Sequence, residues 1–138
     1  MKLEKIENKN YLYNLSPNYE NKKSRSIRFI IIHYTGIKSI KKTLEKFNDP
    51  NSKVSCHWLI SECGNIHKIV EEKNIAWHCG ASKWKNITGL NKYSIGIELD
   101  NPGHGSFYKS FSSMQMNSLV VLLKKIFKKY NIDYKNVL

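Results

Sequence analysis

No run of apolar residues in this chain approaches the roughly 18 needed to span a bilayer. The N-terminal stretch Met-Lys-Leu-Glu-Lys-Ile-Glu-Asn-Lys-Asn lacks the hydrophobic centre of a signal peptide, so a cytoplasmic location is expected. Cysteine is scarce. Cys56, Cys63 and Cys79 are odd in number and include no Cys-x-x-Cys pair, which excludes a zinc ribbon or finger and fits a reducing compartment. Acidic residues are also few, 11 against 23 Lys and Arg, leaving a formal net charge of +12. That charge attracts polyanions such as nucleic acid, an anionic membrane or an acidic wall polymer. The basic residues are mostly scattered lysines and no nucleic-acid module is visible, so no specific nucleic-acid partner is expected.

What is present is the composition of a folded domain. With 138 residues, 41% hydrophobic and 12% aromatic, the chain is long enough to bury roughly two thirds of its unfolded surface in one core. The stretch Phe-Ile-Ile-Ile-His-Tyr-Thr-Gly at 29–36 organises the reading. Four large apolar residues, three of them β-branched, read as a strand buried on both faces, although periodicity alone does not exclude a buried helix segment. The polar word His33-Tyr34-Thr35 falls at the strand's carboxyl end, where α/β sheets place chemistry. A hydrogen-bonded core histidine is the other reading of His33.

Residues 1–26 read as a polar leader that wraps a domain at 27–138. The first strand covers 27–34. Ser39 caps a short helix with Ile40, Leu44 and Phe47 at helical spacing, stopped by Pro50. Strands at 54–61 and 66–70 flank the hairpin turn Glu62-Cys63-Gly64-Asn65. Residues 71–93 form a long irregular connection rich in Trp, His, Gly and Asn, of the kind that is usually functional. In the strand at 94–99, Ile95, Ile97 and Leu99 share one face and leave Gly96 and Glu98 on the other. Ser112-x-x-Gln115 is a capping-box pattern opening a long helix. Its apolar stripe reads Met116, Leu119, Val120, Leu123, Ile126, Phe127 and Tyr130, and Lys124-Lys125 and Lys128-Lys129 complement its dipole. Asn131 ends it, and 132–138 lead towards a further strand.

Two further residues carry candidate chemistry. Glu98 on an otherwise apolar strand is paired, exposed at an edge, or placed as an acid or base. His78, between Trp77 and Cys79-Gly80, suits either a substrate wall or a capped structural loop.

Ile-His-Tyr-Thr at 32–35, Val-Ser-Cys-His-Trp-Leu-Ile at 54–60, Ala-Trp-His-Cys-Gly at 76–80 and Asn-x-x-Ser-Ile-Gly-Ile-Glu at 91–98 together resemble the zinc-dependent N-acetylmuramoyl-L-alanine amidases of the amidase type 2 family. That family is similar in fold to bacteriophage T7 lysozyme and the peptidoglycan recognition proteins. The resemblance covers about 16–138, in order and spacing. It implies an α/β fold, a mixed β-sheet flanked by helices, with a zinc ion in a groove over the sheet. It implies a hydrolase acting on bacterial cell-wall peptidoglycan or muropeptides, cutting the amide between N-acetylmuramic acid and L-Ala. His33 matches the first zinc ligand and Glu98 the glutamate proposed as general base, while the metal activates the attacking water and polarises the carbonyl. Tyr34, Trp77, His78 and Asn91 fall in words that line the substrate groove. Cys56 stands where some relatives carry a catalytic Tyr, and Cys79 replaces the usual Ala. His57 is expected to point to the face opposite Cys56 and to be structural.

The chain departs from the pattern after Asn136-Val137-Leu138. Family members continue with Gly-His-Ser-Asp and a segment that holds the second His ligand, a catalytic Lys and the acidic third ligand. The domain therefore reads as C-terminally truncated, with a separate C-terminal fragment as one expected partner. With His33 the single matched ligand, weak zinc binding and little activity are expected of this chain alone, together with an exposed sheet edge and marginal stability. A metal-free module that grips peptidoglycan or muropeptide without cutting is the alternative. A basic nucleic-acid binder, with affinity falling steeply with salt, is the third reading. The missing signal peptide leans towards recycled anhydro-muropeptide over intact wall.

Overall fold

The computed structural model describes residues 11–105 and 108–138. The expectation for the first ten residues of the leader lies outside them. In chain order the elements are β1 (Leu12–Tyr13), β2 (Tyr19–Glu20), β3 (Phe29–Tyr34), α1 (Ile40–Asn48), β4 (Trp58–Ile60), β5 (Ile66–Lys68), β6 (Ile75–Ala76), β7 (Lys83–Trp84), β8 (Ile87–Thr88), β9 (Ser94–Leu99) and α2 (Ser113–Tyr130). Short 3-10 turns cover Leu90–Tyr93 and Tyr134–Asn136.

The main sheet has the order β1-β5-β4-β9-β3. β9 runs parallel to both β3 and β4, β1 is parallel to β5, and only the β4–β5 hairpin is antiparallel. This is the mixed sheet flanked by helices. The tight turn at 61–65 permits the antiparallel pair, with Gly64 at φ +85°. The parallel pairs need long crossovers, and α1 and the 71–93 segment supply them.

Alternation along β3 and β9 sorts the two faces. Ile30, Ile95, Ile97 and Leu99 join Trp58 and Ile60 in one core cluster, closed by Leu119, Leu122 and Ile126 of α2. The other face is covered at one end by α1, where Phe47 packs with Cys56, Leu59, Ile69, Val70 and Ala76. At its other end Phe29 and Ile31 pack against Leu90. Between these two covers lie His33 and Glu98.

Both helix starts behave as their sequences predict. Ser39 Oγ accepts from the Lys42 N–H at 3.3 Å, and Ser112 Oγ from the Gln115 N–H at 3.1 Å. The capping box is only half made, however. Gln115 turns inward and its Nε2 donates to the carbonyls of Ile60 (2.9 Å) and Asp100 (3.0 Å), tying α2 to the ends of β4 and β9. Most of the expected stripe faces the core: Leu119 and Ile126 are buried and Met116, Leu123, Phe127 and Tyr130 pack partly buried against the same cluster, joined by the buried Gln115, Ser118 and Leu122. Val120 is 49% exposed and Leu122 fully buried. Asn131 ends α2 in the left-handed conformation, φ 52°, with its N–H on the Phe127 carbonyl.

The strands predicted at 54–61 and 66–70 contract to Trp58–Ile60 and Ile66–Lys68. The stretch before Trp58 is irregular because its hydrogen bonds go to Trp77, Gly96 and Asn18 instead of a strand neighbour in register. Residues 71–93 carry three short strands. The described part of the leader is also more regular than expected, since β1 extends the main sheet and β2 pairs with β6. On the outer side of β3, Leu138 N–H donates to Ile30 O and Ile32 N–H to Leu138 O, both 2.9 Å, so this edge is partly paired. Among the described residues, no helix is long and apolar enough to cross a membrane.

Candidate active site and metal centre

His33 and Glu98 are register partners on β3 and β9, so both side chains project from the face opposite α2 while Ile32 and Ile97 turn into the core. Glu98 Oε2 is buried and has no hydrogen-bond partner. Burial pushes the carboxyl up to about 7, with Lys46 opposing the shift. Glu98 lines a groove with Thr35, Thr43, Lys46, Trp77 and His78. A carboxyl that changes protonation near neutrality at the wall of a groove can accept a proton from water.

His78 arrives from the loop after β6. Its ring lies flat on Gly96, where any Cβ would sit 2.4 Å from His78 Cγ. Gly96 is thus required by close approach. Ser94 Oγ donates to the Leu90 carbonyl at 2.7 Å, so it receives the His78 Nε2–H at 3.2 Å. This leaves the lone pair of His78 on Nδ1. That lone pair faces His33 Nε2 at 3.0 Å and Cys79 Sγ at 3.1 Å, and Cys79 Sγ lies 3.9 Å from His33 Nε2. The three donor atoms lie within 4.8 Å of one another. Burial lowers the pKa of His33 and lowers that of His78 well below the usual imidazole range, while burial and then Glu98 push the Cys79 thiol up to about 12. Two imidazole nitrogens and a sulfur at these spacings are a donor set that fits zinc.

The other sequence candidates occupy different positions. Asn91 sits in the 3-10 turn beneath the loop. Its Oδ1 accepts from the N–H groups of Cys79 (2.9 Å) and His78 (3.2 Å), so it holds the loop in place. Trp77 pairs its backbone with Ser55 and lines the groove. Tyr34 is the register partner of Leu99 and is absent from the groove lining; its ring packs over Gly103 and meets His104 edge-on at 6.2 Å.

Two cysteine and histidine expectations change. Cys56 is fully buried in the α1 core and its Sγ–H donates to the Trp58 carbonyl at 3.2 Å, so it does not offer a groove side chain. His57 is structural as expected, but it does not point away from the site. Because 54–57 is not a regular strand, alternation fails there, and the His57 ring comes 5.9 Å from that of His78. Its Nδ1 accepts the Gly96 N–H at 3.0 Å and its Nε2–H donates to the Asn74 carbonyl at 2.9 Å. Burial and the neighbouring Arg25 pull its pKa down to about 3. Cys79 and Ser94 are the site residues that the sequence reading did not assign. The adjacent pair His78-Cys79 was the available signal for the first, and nothing local marks the second.

A mixed sheet between helices, with a histidine and a buried carboxyl on neighbouring parallel strands beneath a His-Cys loop, defines an amidase-type α/β domain. Residues 23–138 match the profile described as N-acetylmuramoyl-L-alanine amidase, and the chain belongs to that family. It is 33% identical over 123 residues to N-acetylmuramoyl-L-alanine amidase AmiD of Escherichia coli K12, covering 80% of this chain and 44% of that protein. It is 37% identical over 78 residues to the 1,6-anhydro-N-acetylmuramyl-L-alanine amidase AmpD of Haemophilus influenzae, covering 56% of this chain and 40% of the relative. The chain therefore spans less than half the length of these relatives. Among solved structures it is similar to E. coli AmiD in complex with the substrate anhydro-N-acetylmuramic acid-L-Ala-D-γ-Glu-L-Lys. That match has TM-score 0.76 and 29% identity, covering 88% of this chain and 56% of that one. An AmpD structure shares the fold with TM-score 0.78 at 23% identity, covering 92% and 79%.

Proposed function

We propose that this domain hydrolyses the amide between N-acetylmuramic acid and L-Ala in peptidoglycan fragments, with zinc as its cofactor. The observation that carries the reading is Glu98: a buried carboxyl with a free Oε2 and a pKa of about 7, on the groove wall, in register with His33. The relatives' names and the muropeptide in the AmiD complex support the choice of substrate. Held by His33 and its neighbouring donors, zinc would supply Lewis-acid activation of the scissile carbonyl and the attacking water.

The chain's own residues do the rest. Glu98 accepts one proton from water as its oxygen attacks the carbonyl, and gives it to the departing L-Ala nitrogen as the C–N bond breaks. Burial keeps the pKa of Glu98 at about 7, close to neutral pH, where it can accept a proton. Lys46 is the cation that acts on Glu98, and it limits the rise. Trp77 offers an apolar wall to the substrate.

The test is release of L-Ala-containing peptide from an anhydro-muropeptide, with zinc added or with chelator. Chelator-sensitive release that disappears in Glu98→Gln is the expected result. Binding of muropeptide without release, with or without zinc, would overturn the catalytic reading in favour of a binding module.

A further inference from the structure

We infer that Arg25 is a positioning residue for the groove, its guanidinium setting the spacing between the two ends of the loop that carries Trp77 and His78. This deepens the amidase reading above, on which only its turnover arm rests. None of the four words that carry the family resemblance includes Arg25, which lies in the stretch that reads from the sequence as a leader.

Composition gives the first sign. Among 23 Lys and Arg, only Arg25 and Arg28 are arginine. An ammonium has three donors at one point, whereas a guanidinium has five N–H groups in a rigid planar fork. Arg25 uses that fork in two directions. Its Nε and one terminal nitrogen donate to the Glu72 carbonyl at 3.0 and 2.7 Å. The other terminal nitrogen donates to the carbonyls of Asn91 at 3.2 Å and Ser94 at 2.9 Å. Residues 72 and 91–94 are the two ends of the segment whose middle lines the groove with Trp77 and His78.

One end is a fixed post. The Glu72 carboxylate accepts from Trp58 Nε1 (2.9 Å), Lys129 Nζ (2.7 Å) and the Tyr130 hydroxyl (2.6 Å), which ties it to β4 and α2. The other end carries the groups that hold His78. Asn91 Oδ1 accepts the His78 backbone N–H and Ser94 Oγ accepts its Nε2–H, each at 3.2 Å. Arg25 therefore grips, through their carbonyls, the same two residues whose side chains orient His78. It is absent from the groove lining, so it acts on geometry alone. Without it the β3–β9 ladder and the Arg28 N–H on the Tyr93 carbonyl (2.7 Å) remain. The fold then survives while the spacing of the loop ends is released.

The parent, Arg25→Lys, Arg25→Ala and the control Arg28→Lys are compared at one pH, well below each Tm. Release of peptide from an anhydro-muropeptide gives kcat and KM per folded molecule. Long-range proton–nitrogen NMR of histidine-labelled protein gives the His78 tautomer, with His78→Gln assigning its signal. The parent should show one tautomer, Nε2–H. Both Arg25 variants should show a tautomer mixture, as Ser94 leaves its place, and a kcat lower by roughly 10²-fold, the cost of a misplacement of about 1 Å. Lysine should not rescue, because one point of charge cannot span two sets of carbonyls. Arg28→Lys should match the parent in both readouts.

A residue that serves stability alone would lower Tm and leave the tautomer and kcat of folded molecules unchanged, and that result overturns the inference. Full rescue by lysine, or kcat lost with the His78 tautomer unchanged, overturns it as well. If Arg25→Ala does not fold, Arg25→Lys decides; if neither folds, Arg25 belongs to the fold and the inference falls. A parent that releases no peptide sinks the amidase reading alone, and the His78 tautomer then decides this inference.

Discussion

Gly96→Ala adds one methyl group at the centre of β9, and three distances decide its effect. The new Cβ would lie 2.4 Å from Cγ, 2.5 Å from Cδ2 and 2.6 Å from Nδ1 of His78. Ordinary contact is about 1 Å longer, so the imidazole must retreat by roughly that much. It has little room: the rings of His33 and His57 stand 5.2 and 5.9 Å from it, centroid to centroid. A shift of this size also breaks the Ser94 hydrogen bond and spoils the spacing of Nδ1 from His33. Overpacking a buried site costs about 1–3 kcal/mol, or roughly 3–15 °C in Tm for a domain of this size. Without the clash the sign reverses, because Ala is favoured over Gly inside a strand by about 0.5–1 kcal/mol. Chemical denaturation of the metal-free protein measures the sign directly, and cobalt titration reports the displaced His78. Gly105→Ala, where a Cβ meets nothing within 4 Å, is the control and should be neutral. A Gly96→Ala protein as stable as the parent, with undiminished metal affinity, would refute the close-packing argument.

The other expectations concern charge and register. Glu98→Gln should lower turnover by about 10²–10⁴-fold while raising stability at pH 8 by up to the order of 2–3 kcal/mol, because a carboxyl raised from 4.5 to about 7 is costly to ionise there; loss of fold instead would contradict this. In the parent, activity should rise with pH through about 7 as Glu98 deprotonates, and a flat profile from pH 5 to 8 would remove it as the base. His57 acts on stability with the opposite sign. It is neutral when folded, so its contribution is complete above pH 6.5 and is lost as pH falls towards about 3. At ~1.4 kcal/mol per pH unit this amounts to about 5 kcal/mol at most. Urea midpoints from pH 7.5 to 4 should fall steeply in the parent and less in His57→Gln; equal slopes would discount His57. Finally, Leu122→Ala should cost about 2–5 kcal/mol and Val120→Ala less than ~0.5 kcal/mol, and comparable denaturation midpoints would show that the buried face of α2 is misplaced.

Local chemistry in the sequence determined the elements that need only a period or a cap. Ser39, Ser112 and Asn131 mark helix ends because side-chain and left-handed caps act on backbone groups a few residues away. The alternation of Ile30, Ile32, Ile95 and Ile97 with His33, Gly96 and Glu98 fixes which side chains share a face, since the strand repeat is two. The resemblance of four short words then fixed the family. Tertiary structure alone decided what depends on the path of the long loop. The approach of His78 to His33 joins residues 45 apart, and the anchoring of Cys79 by Asn91 depends on a turn with no periodic signal. His57 escaped the alternation rule because its ring accepts the Gly96 N–H and donates to the Asn74 carbonyl where a regular ladder would have continued. The buried face of α2 takes in Gln115 and Ser118 beside the apolar stripe because their hydrogen bonds reach the Ile60, Asp100 and Gly64 carbonyls, which no helical hydrophobicity pattern records. A pattern reads the neighbours along the chain, whereas a site of this kind is made by groups that only packing brings within bonding distance.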